Sequence, residues 1–256
     1  LGKILECAAI AASPGSGSDC MLGTLCRDSF IVEPLSDERI CTVESVAGHS
    51  LYEKSNPYIL PGPGGYLDLQ GTAFEQIDPR RIRVSGSRFV PTDRHFVKLE
   101  ASRRAGFRTI SIAGARDPVF IANVDTILAS VKARTAENFP EIDRASYAIG
   151  FKVYGRDGVM GNLEPCRAAV GHEVGLVIDV TAATQQAANT LCGFTRSTLL
   201  HFGYPGRIST GGNLALPYSP SDFQAGEVYQ FSLYHLLPVD DPEALFPRYA
   251  KRLETF

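Results

Sequence analysis

Arginines and small polar residues recur in this 256-residue sequence where turns are expected. Arg116 stands in Gly114-Ala115-Arg116-Asp117-Pro118, Arg156 follows Gly155, and Arg207 shortly precedes Ser209-Thr210-Gly211-Gly212-Asn213. Arginine grips a carboxylate or phosphate with paired N–H donors, and glycine lets the backbone approach a ligand closely. Arg116, Arg156, Arg207, Ser209, Gly211, Gly212 and Asn213 are therefore read as a binding set for a small anion. The competing reading is a tight turn, with arginines that are solvated or paired with Asp157 and Asp222. For proton transfer the candidates are His201, because histidine titrates near neutrality, and Asp117. Both have structural alternatives: a helix C-terminus stabilises a histidine cation, and an Asp before a Pro is a good helix N-cap. His172, beside Glu173, and Asp222 are further groups near the same turns.

The fixed arrays of common enzymes are missing. The sequence has no G-x-S-x-G, no H-E-x-x-H and no G-x-G-x-x-G fingerprint, and no G-K-[ST] comes after the glycine-rich turn. Its six cysteines, Cys7, Cys20, Cys26, Cys41, Cys166 and Cys192, form no C-x-x-C and no zinc-type cluster with histidine. No metal and no cofactor is expected. Cys7 has neither a base nor a cationic neighbour in sequence, so it reads as a buried thiol.

The elements that must position these residues are clearest in the second half. Residues 107–113 alternate apolar and polar, as a half-buried strand does. A helix is expected from Asp117 to Asn138, a strand over 146–154 and another over 175–180. A second helix, capped by Thr181 or Thr184, runs to Gly203, and a last strand covers 227–237. This βαββαβ order predicts a ferredoxin-like lobe. Three connections, 114–117, 155–173 and 202–226, then open at one end, where Arg116 would also meet the free N–H groups of a helix start. Residues 1–95 show short β-like runs at 3–10, 29–34, 39–46 and 81–85, separated by turns such as SPGSGSD and NPYILPGPGG. The expected fold class is α+β, a two-layer α/β arrangement with the ferredoxin-like lobe (96–256) packed on a β-rich lobe (1–95).

Charge excludes some functions. Lys and Arg number 25 against 28 Asp and Glu, a net charge of −3, which lacks the basic field of a nucleic-acid protein. No apolar run reaches the roughly 18 residues of a membrane span, and residues 1–12 are too broken by Glu6 and Cys7 for a signal peptide. Sparse cysteines fit a reducing, cytoplasmic setting. The first residue is Leu1 rather than Met, as expected of a cut domain or processed subunit.

Several ordered blocks carry a family resemblance: LGKILECAAIAASPGSGSD at 1–19, LYEKSNPYILPGPGGYLDL at 51–69, RIRVSGSR at 81–88, AGARDP at 113–118 and the stretch 192–237. Together they resemble the C-terminal half of acyclic-terpene-utilisation (AtuA-type) proteins. The resemblance implies catabolism of branched acyclic acids, often as acyl-CoA derivatives, and carries no catalytic residue over. It also implies a preceding α/β portion, which is either trimmed here or a separate chain. A hydratase, isomerase or lyase step on a small carboxylate or acyl-CoA is the first expectation. Its partner set is an anionic substrate, with a homo-oligomer or a complex with the N-terminal half or a small companion protein, and no nucleic acid or membrane. The alternative is a non-catalytic assembly domain.

Overall fold

A computed structural model describes residues 1–252 except Ala169, Ser209 and Thr210. The chain forms two compact units, Leu1–Leu99 with Tyr234–Phe256, and Glu100–Leu233. The class is α+β, with antiparallel sheets and helices in each unit.

The first unit begins with a short helix, α1 (Gly2–Glu6), and a single 3-10 turn over Ala8–Ala11. Strands β1 (Met21–Leu25) and β2 (Ser29–Pro34) precede helix α2 (Val43–Leu51). Then come β3 (Ile59–Gly62), β4 (Gly65–Asp68), β5 (Ala73–Gln76), β6 (Ile82–Ser85) and β7 (Arg88–Pro91). They form one sheet in the order β1-β2-β6-β5 and another in the order β3-β4-β7. Ile4, Val32, Cys41, Val46, Ile82 and Val84 belong to the core of this unit. The strands expected at 29–34 and 81–85 are present, but helical residues occupy much of those expected at 3–10 and 39–46. The second has a definite cause. Thr42 Oγ1 accepts from the Ser45 N–H, and Ser45 Oγ accepts from the Thr42 N–H, each at 3.1 Å. This reciprocal cap starts α2 and outweighs the β preference of the flanking residues.

The second unit is built on β8 (His95–Ala115), which enters from the first, helices α3 (Pro118–Ala122) and α4 (Val124–Asn138), strands β9 (Tyr147–Tyr154) and β10 (Val174–Ala182), helix α5 (Gln185–His201) and β11 (Asp222–Val239). A last short helix, α6 (Pro242–Leu245), lies in the first unit. The sheet order is β11-β8-β10-β9. β10 runs antiparallel to both neighbours, with Val174 opposite Ala115 and Gly175 opposite Tyr154. β8 and β9 therefore point the same way, and their C-terminal ends lie beside the start of β10. Gly106 sits in β8 at φ +141, where a Cβ would come within 2.5 Å of the Ala182 carbonyl oxygen.

Strict alternation decides which sheet face is covered. Ala113 and Ala115 of β8, Ile149 and Val153 of β9, and Leu176, Ile178 and Val180 of β10 are buried in one core with Phe120, Ile127, Val131, Leu191 and Leu199 of the helices. Each large aliphatic side chain so buried contributes roughly 1.5–3 kcal/mol. The polar groups in this layer are satisfied: Thr109 Oγ1 donates to Asn189 at 2.6 Å and accepts from Gln185 at 2.8 Å. The helix expected from Asp117 to Asn138 is broken at Asn123, which ends α3 and starts α4. Thr184, one of the two expected caps, accepts from the Ala187 N–H and starts α5.

Candidate functional site

The chain turns sharply at the end of β8 because Asp117 caps α3. Its Oδ1 accepts from the N–H groups of Val119, at 2.7 Å, and Phe120, at 3.4 Å. The free helix-start N–H groups expected to meet an anion beside Arg116 are thus already taken by Asp117, and α3 is only five residues long. Oδ2 of Asp117 accepts from the Tyr204 hydroxyl at 2.7 Å.

The loop after α5 is tied down at several points. Gly114 and Ala215 exchange two backbone hydrogen bonds of 2.8 Å, which pins the loop to the end of β8. Asn213 closes the end of α5. Its backbone N–H donates to the Leu200 carbonyl at 2.8 Å. Its side-chain Nδ2 donates to the carbonyls of Leu199, at 2.9 Å, and Phe202, at 2.8 Å. Carbonyls at a helix end need partners of this kind from outside the helix. Asn213 Oδ1 in turn accepts from Arg207 Nε at 2.7 Å, and Arg207 Nη2 donates to the Gly211 carbonyl at 2.8 Å. Arg207 is thereby held at two points, with guanidinium N–H groups left over for another acceptor.

Between these parts lies a cavity of about 790 Å³. Its wall takes Gly114, Arg116 and Asp117 from the β8 exit, Tyr154 and Gly155 from the β9 exit, Glu173 and Gly175 from the start of β10, and Tyr204, Arg207, Gly211, Gly212 and Asn213 from the loop. Among the described residues Arg116 has no hydrogen-bond or ion-pair partner. Gly212 is tightly placed: a Cβ there would stand 2.3 Å from Leu200 Cδ1.

Electrostatics inside the cavity are set by the Asp117–Tyr204 pair. The Tyr204 hydroxyl, together with the Val119 N–H, holds the Asp117 carboxyl below the usual carboxylate range. Burial, and then the same hydrogen bond, push the Tyr204 phenol up to about 12. Asp117 is thus a fixed anion and Tyr204 a fixed proton carrier. Formal charge on the wall is balanced, with Arg116 and Arg207 against Asp117 and Glu173.

Of the residues singled out in the sequence, Arg116, Asp117, Arg207, Gly211, Gly212 and Asn213 share the cavity, while Ser209 lies outside the described residues. Arg156 does not line it. Its guanidinium is clamped by Asp125, with Nη1 to Oδ1 at 2.8 Å and Nη2 to Oδ2 at 2.5 Å. It faces a smaller hollow of about 350 Å³ with Pro118, Ile121 and His172. His201, the last residue of α5, lines another hollow with Arg134, Phe194 and Thr198. Asp222 is paired with Arg196 through two hydrogen bonds, at 2.7 and 3.0 Å. Sequence reasoning missed Tyr204 and Tyr154 as wall residues. The signal available for Tyr204 was slight: an aromatic hydroxyl just before Pro205, at the expected helix stop.

Among the described residues no three His, Cys, Asp or Glu side chains are grouped as metal ligands, and no helix is long and apolar enough to cross a membrane. The sequence model of the acyclic terpene utilisation family protein AtuA matches residues 28–219. That span includes every part of the cavity wall. No curated protein and no solved structure matches the chain.

Proposed function

Because the chain belongs to the acyclic terpene utilisation family AtuA, we propose that its cavity binds a small branched carboxylic acid or its acyl-CoA for a hydratase-, isomerase- or lyase-type step. The observation that carries this reading is the convergence of Arg116 and Arg207 on one wall beside Gly211 and Gly212. Two guanidinium groups suit a carboxylate or phosphate, and Gly211, with open space where a side chain would stand, admits it closely.

Proton handling falls to the Tyr204–Asp117 pair. Asp117, held low, serves better as an orienting anion than as a base, because a general base works best with a pKa near the operating pH. Tyr204 commits its single proton to Asp117 Oδ2, so the phenol donates to a carbonyl or enolate oxygen only when a bound ligand draws that proton off the carboxylate. Arg207 is held for its task by Asn213 and Gly211. A cytoplasmic setting belongs to the same reading and is supported by cysteines that are all free thiols.

A second reading, a domain whose task is assembly, is favoured by one feature. Strand β11 is at the edge of its sheet and exposes Tyr229 (62%), Phe231 (60%) and Leu233 (42%) at alternate positions. Calorimetric titration separates the two. On the enzyme reading, 3-methylbut-2-enoate binds, its neutral alcohol binds about tenfold or more weakly, and the Arg207→Ala variant loses the preference. If acid and alcohol bind alike, the carboxylate reading fails and the assembly reading stands.

A further inference from the structure

In the second unit β8 and β11 run on together after their neighbour stops. Ser111 Oγ donates to the Ser221 carbonyl at 2.8 Å, Arg104 Nη1 to Glu227 Oε1 at 2.9 Å, and Ser232 Oγ to the Ala101 carbonyl at 3.4 Å. Numbers fall along β8 as they rise along β11, so the two strands are antiparallel. The ladder between β8 and β10 ends at Phe107, opposite Ala182. Past that point β8 and β11 form a two-stranded ribbon, in which residues 100–105 and 229–233 are all exposed. Successive side chains point to opposite faces, so neither face of this stretch is covered. Two strands alone are marginal in water, and a third strand steadies them. Charge distinguishes the two edges. β8 carries Arg103 and Arg104 here, and charges of this kind guard a strand edge. β11 has no Asp, Glu, Lys or Arg after Glu227, and among the described residues no strand lies on its outer side. Every other strand of more than five residues contains a charged residue.

We infer that the outer edge of β11 is a dimer interface, at which β11 pairs antiparallel with β11 of a second copy of this chain and joins the two sheets into one. Self-pairing satisfies the charge pattern, because an uncharged strand meets the same uncharged strand, and a two-fold axis closes the assembly at two copies. With the axis at Phe231, Tyr229 stands opposite Leu233 of the second copy, and Phe231 stands opposite its counterpart. Aromatic and aliphatic pairs of this kind stabilise a sheet. Tyr229, Phe231 and Leu233 together expose roughly 300 Å² on each copy, aromatic side chains measuring about 150–250 Å² each. That is under half of the about 800 Å² per partner in stable complexes, so the dimer is a weak one, with a Kd on the order of 10 μM. The inference deepens the assembly reading by naming its partner, and it holds equally if the cavity is catalytic. Ala101, beside Ser232, and Gly114 of the cavity wall are about 40 Å apart along β8.

Sedimentation velocity on the intact chain tests this. Wild type runs as one copy at about 1 μM and mainly as two at about 100 μM. Phe231→Lys sets two like charges against each other at the axis and weakens association about tenfold or more. Hydrogen exchange needs no variant: amides within 228–233 exchange several-fold faster at about 1 μM than at about 100 μM, because dilution uncovers the edge. No ligand enters either measurement, so the outcome is separate from the comparison of acid and alcohol that decides between the readings of the cavity. A single copy at both concentrations, an unchanged dimer in Phe231→Lys, or exchange within 228–233 that is equal at both concentrations would each overturn the assignment.

Discussion

Tyr204 donates its hydroxyl to Oδ2 of Asp117 at 2.7 Å, joining a loop residue to the exit of β8 across 87 positions of sequence. One carboxylate thus starts α3 and fixes the phenol on the cavity wall. The two functions cannot be separated by removing Asp117, but they can by removing the hydroxyl alone.

Tyr204→Phe should cost about 1 kcal/mol at neutral pH, the scale of one part-buried hydrogen bond. The pH dependence identifies the cause. A carboxyl depressed in the folded state adds stability above its unfolded value of about 3.9, and that stability is lost as pH falls through the lower folded value. The gap between wild type and variant should therefore close in acid. It should also close above about pH 10, because the raised phenol makes wild type lose stability as pH climbs. Urea melts from acid to alkaline pH check this; a gap constant with pH would show that Asp117 and Tyr204 are not coupled.

Asn213→Ala should be costlier. The change strips side-chain partners from the Leu199 and Phe202 carbonyls and from Arg207 Nε. About 1–3 kcal/mol of stability is expected to go, with a several-fold loss in carboxylate affinity because Arg207 is no longer aimed. Thermal melting and calorimetry on the same preparation measure both. A stability loss with unchanged affinity would mean that Arg207 needs no positioning.

Arg156→Ala is the control for charge alone. Its partner Asp125 is 75% exposed, so losing the pair should cost about 1 kcal/mol or less. Binding at the cavity should stay within about twofold of wild type. A loss as large as that of Arg207→Ala would return Arg156 to the anion-binding set.

Legibility in the sequence depended on what each segment had to say locally. β10 and α5 were legible because their apolar periods are clean and Thr184 is a strong cap. The full extent of β8 was hidden by the polar run Lys98–Glu100–Ser102–Arg103–Arg104, where exposure leaves no alternation to detect. Of the four-residue strands β3 to β7, β6 was legible from the run at 81–85, and β3, β4, β5 and β7 are too short to show a period. Thr42 and Ser45 form a capping box without the usual Glu or Gln, which disguised α2 as a strand. In the site, Arg116 and Arg207 were legible as loop arginines opening at one end of the sheet. The capture of Arg156 by Asp125, a partner 31 positions away, comes from packing of the β9 exit near α4, which spacing does not encode. Tyr204 gave no pattern because its role depends on a single contact.

A double-mutant cycle on Arg116 and Arg207, read by calorimetric binding of 3-methylbut-2-enoate, bears most directly on whether these two side chains hold one anion. Arg116→Ala and Arg207→Ala should each weaken binding about tenfold, and the double variant should lose less than the product of the two. Binding within about twofold of wild type in either single variant would show that the two arginines do not share a ligand.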